Sequence, residues 1–326
     1  MRILYGIWIA LMLLPLGAEA QNEVFSRQYF LNNYLVNPAV GGAYDYMDLR
    51  LSYSRQWTAI ERSPISMLFS FNTNLSKEKD QVLRYSARNK RYELGRSNLG
   101  YSDRKIKHGV GARVIFDKIN VFSNTSFSLS YACHIPLSAA YTASVGVAGG
   151  AMLSALDLGS EYVPDLSDPV LTVQKRNETI PMMEAGVWVY SPRLYFGASM
   201  STLMKNPYDG EDKAKYMNYY VTAGWKYVPS DYFTVIPSAM YRMNAYNNGM
   251  LDLNVRAIYR ETVWIGTTYR DLKEFSFHVG ATFRELVEIH YTCDLNKKVF
   301  GLSHEVGIAY RIWSRARECH NRWYFL

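Results

Sequence analysis

Residues 275–283 read Phe275-Ser276-Phe277-His278-Val279-Gly280-Ala281-Thr282-Phe283. Every odd position is apolar and every even one is small or polar. A repeat of two is that of a strand whose two faces meet different surroundings. The alternation returns in Leu251-Asp252-Leu253-Asn254-Val255-Arg256-Ala257, in Met47-Asp48-Leu49-Arg50-Leu51-Ser52-Tyr53 and in Thr125-Ser126-Phe127-Ser128-Leu129-Ser130-Tyr131. No helical stripe displaces it for more than about two turns.

Working outward from these stretches, the sequence divides into fourteen candidate strands: 46–57, 64–74, 107–118, 122–135, 140–152, 182–191, 193–203, 215–228, 231–243, 249–260, 261–271, 274–284, 286–295 and 303–313. Most run 10 to 14 residues. Strands of soluble proteins average about 5–6 residues, whereas a strand crossing a bilayer needs about 9–11. Length therefore decides the class better than alternation does. Very tight turns at Pro192, Pro229-Ser230, Arg260-Glu261 and Arg284-Glu285 alternate with longer links at 153–181, 204–214 and 296–302. Short turns on one side and long loops on the other are the habit of membrane barrels. The expected fold is all-β, a transmembrane antiparallel β-barrel of about 14 strands spanning 46–313. An even count puts both ends of the barrel on the periplasmic side. A soluble sandwich or propeller is the weaker alternative.

The faces agree with this. Phe275, Phe277, Val279, Phe283, Leu251, Val255, Val263, Ile265, Val235 and Leu129 share the face expected to meet lipid. Asp48, Arg50, Arg113, Asp117, Asp252, Arg256, Arg270, Glu288 and His290 share the other. Charges cannot meet lipid cheaply, so that second face must line a polar lumen.

Composition bounds the rest. The chain has 326 residues, 48% hydrophobic and 15% aromatic, which excludes a disordered protein. No apolar run of about 20 residues follows position 20, which excludes a multi-helix membrane protein. The 27 tyrosines suit strands and membrane interfaces. Residues 1–20 read as a signal peptide: Arg2, an apolar core at 3–14, and the small-residue box Ala18-Glu19-Ala20. A periplasmic segment is expected at 21–45 and a tail at 314–326. Cys133, Cys293 and Cys319 are too few and too far apart for a disulfide framework. Cys133 and Cys293 fall on apolar strand faces.

Chemistry is sparse. The six histidines are scattered, with no HExxH pair and no Gly-x-Ser-x-Gly elbow. Gly146-Val147-Ala148-Gly149-Gly150 lies within an alternating strand, where small residues ease curvature. Glu288, His290 and Asp294 share a strand face, and an internal polar network accounts for them better than catalysis. The expectation is a non-enzyme with no cofactor, no metal site and no nucleic-acid partner. One segment departs from the pattern. Residues 75–106 carry Lys77, Lys79, Arg84, Arg88, Lys90, Arg91, Arg96, Arg104 and Lys105 against Glu78, Asp80, Glu93 and Asp103. This basic insertion is a candidate docking element for an acidic periplasmic partner; a merely solvated loop is the alternative.

Several stretches resemble one family. Tyr29-Phe30 within the opening at 25–30, then Asn37-Pro38-Ala39 and Gly41-Gly42, look like the start of the PorP/SprF family of type IX secretion membrane proteins of the Bacteroidota. Tyr53-Ser54-Arg55-Gln56-Trp57, followed by Pro64, is similar to its Tyr-Arg-x-Gln-Trp signature. Asp117-Lys118-Ile119 and 123–131 resemble its third and fourth strands, and Ser303-His304-Glu305 with Tyr310 its closing strand. The likeness covers about 25–313, leaving out the basic insertion and the tail. It implies an outer-membrane barrel serving secretion, surface attachment or gliding-adhesin delivery. It also implies contact with periplasmic type IX components and with cargo bearing a C-terminal secretion domain. From the residues themselves, Asn37-Pro38 is a good turn initiator, Trp57 suits an aromatic girdle, and Arg55 is expected to pair with a lumen carboxylate. The competing function is an outer-membrane transport barrel for a small hydrophobic solute, for which Pro237 in a strand would open a lateral gap.

Overall fold

Period-two sequence becomes strand nearly everywhere it occurs. The computed structural model describes residues 29–44, 46–59, 61–76, 106–120, 122–138, 140–156, 177–205, 216–244, 247–271, 274–284, 286–295 and 301–313, with the backbone of 83–86 and 91–94. The strands are β1 (Tyr46–Arg55), β2 (Ile65–Asn74), β3 (Leu83–Ser86), β4 (Arg91–Leu94), β5 (Lys107–Ile119), β6 (Phe122–Pro136), β7 (Thr142–Leu156), β8 (Asn177–Tyr190), β9 (Leu194–Leu203), β10 (Tyr216–Trp225), β11 (Tyr227–Ser230), β12 (Phe233–Asn244), β13 (Asn247–Tyr259), β14 (Val263–Arg270), β15 (Glu274–Phe283), β16 (Val287–Leu295) and β17 (Ser303–Trp313).

Fourteen of them form one closed antiparallel barrel. Short β11 continues the wall beside β12, and β3 and β4 pair only with each other. That hairpin lies in the basic insertion, where sequence reading expected no strand. Closure is made twice over by hydrogen bonding. First strand pairs with last from Tyr46↔Trp313 to Arg55↔His304. β10 pairs with β12 from Asn218↔Asn244 to Gly224↔Ser238. Pro237 has no N–H to offer, and it sits where the wall passes from β10 to β11 with a shift of register between Tyr227 and Ser230. Closure leaves no free edge for another strand to join.

The up-and-down order puts the start of β1, the end of β17 and the insertion 75–106 at one end of the barrel. Connections elsewhere at that end are tight. At 260–261, Arg260 (φ 48°) and Glu261 (φ 55°) both take the left-handed conformation, and Thr262 N–H donates to Tyr259 O at 3.1 Å. Two consecutive positive φ values make a turn whose twist matches the flanking strands. The longer links 157–176, 204–215 and 296–302 belong to the opposite end.

The two faces separate as alternation requires. Leu251, Val263, Phe277 and Val279 are exposed on the outside, and Phe275 is half-exposed beside them. Asp252, Arg256 and His278 are buried inside, with Arg270 at the inner rim. Outward aromatics form two belts around the apolar band. Tyr131, Tyr141, Trp225, Tyr232, Tyr259 and Tyr310 mark the end that holds the termini, while Tyr53, Tyr219, Tyr241 and Tyr269 mark the other. Amphipathic rings collect where hydrocarbon meets water. Cys133 and Cys293 are free thiols, half-exposed on the outward face; Cys319 lies outside the described residues.

Val279 stands near the middle of β15 and of the apolar band. Val279→Arg is expected to cost about 2–4 kcal/mol in unfolding from lipid. Val279→Leu should leave stability within about 1 kcal/mol. Equilibrium unfolding in liposomes checks both, and equal stability of the arginine variant would mean that the register is wrong by one residue.

Candidate functional site

Sequence reading placed 21–45 outside the barrel, on the periplasmic side. Residues 29–44 instead fold into the lumen as a compact plug. It consists of three single-turn 3-10 helices, Tyr29–Leu31, Asn33–Leu35 and Pro38–Val40, all of whose residues are buried. A 3-10 turn this short leaves most of its backbone groups without internal partners. Inside a lumen those groups must be satisfied by the wall.

Two wall arginines meet the carbonyl ends of the first two turns. Arg50 on β1 donates through Nη1 to Leu31 O and through Nε to Asp48 Oδ2 at 2.8 Å. Arg113 on β5 donates through Nη1 to Leu35 O, through Nε to Ser128 Oγ at 3.1 Å, and through Nη2 to Glu184 on β8. Each guanidinium is thus neutralised by a neighbouring carboxylate and spends a remaining N–H on the plug, the arrangement that makes a buried charge tolerable. Tyr29 OH donates to Asp252 O at 3.3 Å, Asn32 Nδ2 to Ser70 Oγ at 2.8 Å, and Tyr34 OH meets Ser130 Oγ at 2.7 Å. Burial pushes the Tyr29 and Tyr34 phenols above their usual range, so both remain neutral hydroxyls.

The third turn carries the closest fit. Asn37 caps it by accepting from Ala39 N at 2.9 Å, with Pro38 at its first position. The same side chain donates to Val187 O at 2.9 Å and Ala198 O at 3.3 Å, carbonyls on β8 and β9. Ser144 Oγ donates to Ala39 O, and His134 Nε2 lies 2.9 Å from Gly41 O. The wall must lack side chains for this approach. A Cβ at Gly146 would overlap the Ala39 backbone, and one at Gly186 would overlap the Asn37 carboxamide. Gly146 therefore admits the plug, a role beyond the easing of curvature that the small residues at 146–150 suggest.

Apolar packing completes the seal. Tyr29, Phe30, Leu31, Leu35 and Val36 pack with wall residues Leu68, Tyr220, Ile236, Met240, Ile258 and Trp264. Phe30 meets Trp264 edge-on at 6.3 Å, and the Arg256 guanidinium lies over both rings at 6.0 and 5.7 Å. Such contacts stabilise a buried guanidinium.

The motif residues divide between plug and seam. Tyr29, Phe30, Asn37 and Pro38 are plug residues. Tyr53, Arg55, His304 and Glu305 stand on the β1–β17 seam, with Arg55 directly across from His304 and Ser54 across from Glu305. Tyr53 and Arg55 point outward, so the expected pairing of Arg55 with a lumen carboxylate does not occur; its Nε donates to Ser63 Oγ at 2.6 Å. His304 also faces out, with Nδ1 2.7 Å from Tyr291 OH, while Glu305 faces in. Gln56 is buried just past the strand, and Trp57 N–H donates to Ser303 Oγ at 3.2 Å. Glu288, His290 and Asp294 face inward together, and Glu288 accepts from Arg311, as part of a polar network. Of the basic insertion, Arg84 and Arg91 lie on β3 and β4. Lys77, Lys79, Arg88, Lys90, Arg96, Arg104 and Lys105 lie outside the described residues.

A closed barrel with an apolar outer band between aromatic belts and a charged, plugged interior defines an integral membrane β-barrel. The chain belongs to the PorP/SprF family of type IX secretion system membrane proteins, whose family model matches residues 18–310. No curated protein sequence matches it. Among solved structures it is similar to the Acinetobacter baumannii outer membrane protein Omp33, at 7% identity over 82% of this chain and 98% of that one, with a TM-score of 0.44. It is also similar to a mutant of the Rh. blastica porin (11% identity, 82% and 99% covered, TM-score 0.34) and to the KdgM porin (9%, 81% and 98%, 0.34). Likeness this low carries nothing about function.

The glycine cradle makes the plug testable. Gly186→Val puts a side chain where the Asn37 carboxamide sits, and is expected to unseat the third turn. In planar bilayers its single-channel conductance should exceed the wild-type value several-fold, as should that of a chain lacking 29–43. Asn37→Ala should destabilise by about 1–3 kcal/mol, because it removes a cap and a bridge between two buried wall carbonyls.

Proposed function

We propose that this protein is a non-enzymatic outer-membrane component of the type IX secretion and gliding machinery that supports secretion or surface attachment of cargo proteins. It is exported by a cleavable signal peptide at 1–20. The observation that carries this reading is the plug. A lumen occupied by residues 29–44, and held by charge-assisted bonds from Arg50 and Arg113, is a poor conduit. The barrel then serves as an anchored platform whose exposed ends do the work. Its partners are outer-membrane lipid, periplasmic type IX components, and a cargo or adhesin with a C-terminal secretion domain.

Transport of a small hydrophobic solute needs an apolar pocket joined to a lateral opening. Among the described residues the seam at β1–β17 is paired along ten positions, and β11 covers the wall near Pro237. Neither feature favours a lateral gap.

In this reading the end holding both termini faces the periplasm, and so does the basic insertion. It carries nine cationic and four anionic residues, a charge excess that speeds encounter with an acidic partner and fades as salt rises. Deleting 77–105 should leave a folded, heat-modifiable barrel in the outer membrane and weaken capture of periplasmic type IX components at low salt. Membrane pull-down from the native organism, with and without the deletion, measures this. Undiminished capture, or cleavage within 77–105 by protease added to whole cells, would sink the docking role. Pull-downs that recover neither secretion components nor a large adhesin would count against the function itself.

A further inference from the structure

The outward face of the barrel carries a basic row at the end away from the termini. Ser54, Ser66, Asp117 and Glu305 line the lumen, so the residues next to them, Arg55, Ile65, Lys118 and His304, face out. Strand pairing sets these four side by side: His304↔Arg55, Arg55↔Ile65 and Ile65↔Lys118, over β17, β1, β2 and β5. Three strand spacings make the row about 14 Å long. Exposed Arg62 lies on the link between β1 and β2. Against these basic residues the row and that link hold one acid, Glu61.

Arg55 is the fixed point of the row. Its Nε donates to Ser63 Oγ at 2.6 Å, and Ser63 is buried. The guanidinium is therefore oriented before any ligand arrives, while the residue itself stays exposed. Among the described residues no carboxylate pairs with it. An arginine held through Nε and open at its terminal nitrogens suits a phosphate, whose oxygens match the planar fork. His304 is kept at the same level by stacking on Tyr291, with ring centroids 6.0 Å apart. Toward the middle of the wall the row is followed by Tyr53, Met67 and Val306, then by Leu51 and Phe69, all exposed on the apolar band. A ligand here meets charge at its head and hydrocarbon along its tail, the surroundings of an amphiphile standing in the membrane.

We propose that this row binds the headgroup of a phosphorylated glycolipid of the outer leaflet, with a phosphate on Arg55 and a second anionic group of the same headgroup on Lys118. Two strand spacings, about 10 Å, separate these cations, with Ile65 between them. That span exceeds one phosphate and fits a headgroup built on sugar rings. The acyl chains lie on Tyr53, Met67, Val306, Leu51 and Phe69. The lipid chemistry stands apart from the secretion role. Only its assignment to the outer leaflet rests on the orientation proposed above, with the termini in the periplasm.

Native mass spectrometry of the full chain released from detergent reads lipid retention directly. The probes are lipid A, lipid A with its phosphates removed enzymatically, and phosphatidylglycerol. Lipid A should bind as a single copy at least about tenfold tighter than either of the others, the worth of one charge-assisted hydrogen bond. Arg55→Gln and Lys118→Gln should each weaken it about fivefold. Arg260→Gln, which removes an exposed cation at the opposite end, should not. Heat-modifiable migration reports whether each variant is folded, and comparing the probes on the wild-type protein needs no variant at all. Equal retention of the dephosphorylated form would mean that phosphate is not read, and equal retention of phosphatidylglycerol that any phospholipid suffices. Either result, or retention indifferent to Arg55→Gln, would overturn the proposal. Protease cleavage within 77–105 on whole cells would overturn the outer-leaflet assignment while leaving binding in detergent intact, so a failure of orientation is distinguishable from a failure of the lipid site.

Discussion

Closing the sheet solves the backbone problem of a membrane protein and creates another inside it. Every strand must face one side chain inward for each it faces out, and here the inward set includes Asp48, Arg50, Arg113, Glu184, Asp252, Arg256, Glu288 and Arg311, all buried. Paired charges in a lumen of low polarity are tolerable only when their remaining donors and acceptors are also met. For Arg50 and Arg113 the plug supplies that remainder. Its 3-10 turns present carbonyl oxygens at Leu31, Tyr34, Leu35, Ala39 and Gly41, and wall side chains Arg50, Arg113, Ser144 and His134 are aimed at them. Neither part is complete alone: the turns would leave orphan carbonyls, and the wall would leave unspent cations.

This interdependence bears on how the barrel assembles. Asn37 bridges carbonyls of β8 and β9, and Tyr29 reaches β13, so the plug touches wall segments 150 or more residues away in the chain. It is seated fully only once those strands are in place. Yet the plug runs directly into β1, which must find β17 to close the seam. Seating the plug and closing the seam are therefore coupled through the short stretch at 44–46. The signature residues follow that coupling, falling on the plug at Tyr29, Phe30, Asn37 and Pro38 and on the seam at Tyr53, His304 and Glu305.

How much of this could be read from sequence follows from which features have a local signal. Strands declare themselves by period two, and the fourteen expected spans agree with the observed ones to within a few residues at most ends. The widest miss is β8, which starts at Asn177 rather than 182, because Pro181 looks like a break but sits opposite Ala151 in the ladder. Facing was equally legible, and the alternation itself contradicts the lumen pairing of Arg55, since Arg55 shares parity with the outward Tyr53. The plug had no such signal. Three isolated 3-10 turns have no periodicity, and Asn37-Pro38 announces a turn without saying where it lies. What would have pointed to it is joint evidence: a buried-type run, Tyr29 to Val40, preceding a barrel whose strands place glycines at Gly146 and Gly186 on the inward face. The short hairpin β3–β4 was missed for a related reason, being only four residues per strand.

The finished molecule is polarised along its axis, and this asymmetry constrains what can approach each end. The end with both termini carries the insertion in which nine of the basic residues are concentrated against four acidic ones. Toward the opposite end the lumen holds a cavity of ≈120 Å³ whose lining, among the described residues, includes Asp117, Glu184 and Glu305 with Arg113. Between them the buried residues of the plug occupy the lumen. In the salt solution on either side of the membrane, fields fall off over about a Debye length, ~8 Å at physiological salt, which is shorter than a membrane is thick. Charge at one end is therefore screened from charge at the other. An electrostatic change made at one end leaves the other unaltered, and the two answer to salt independently.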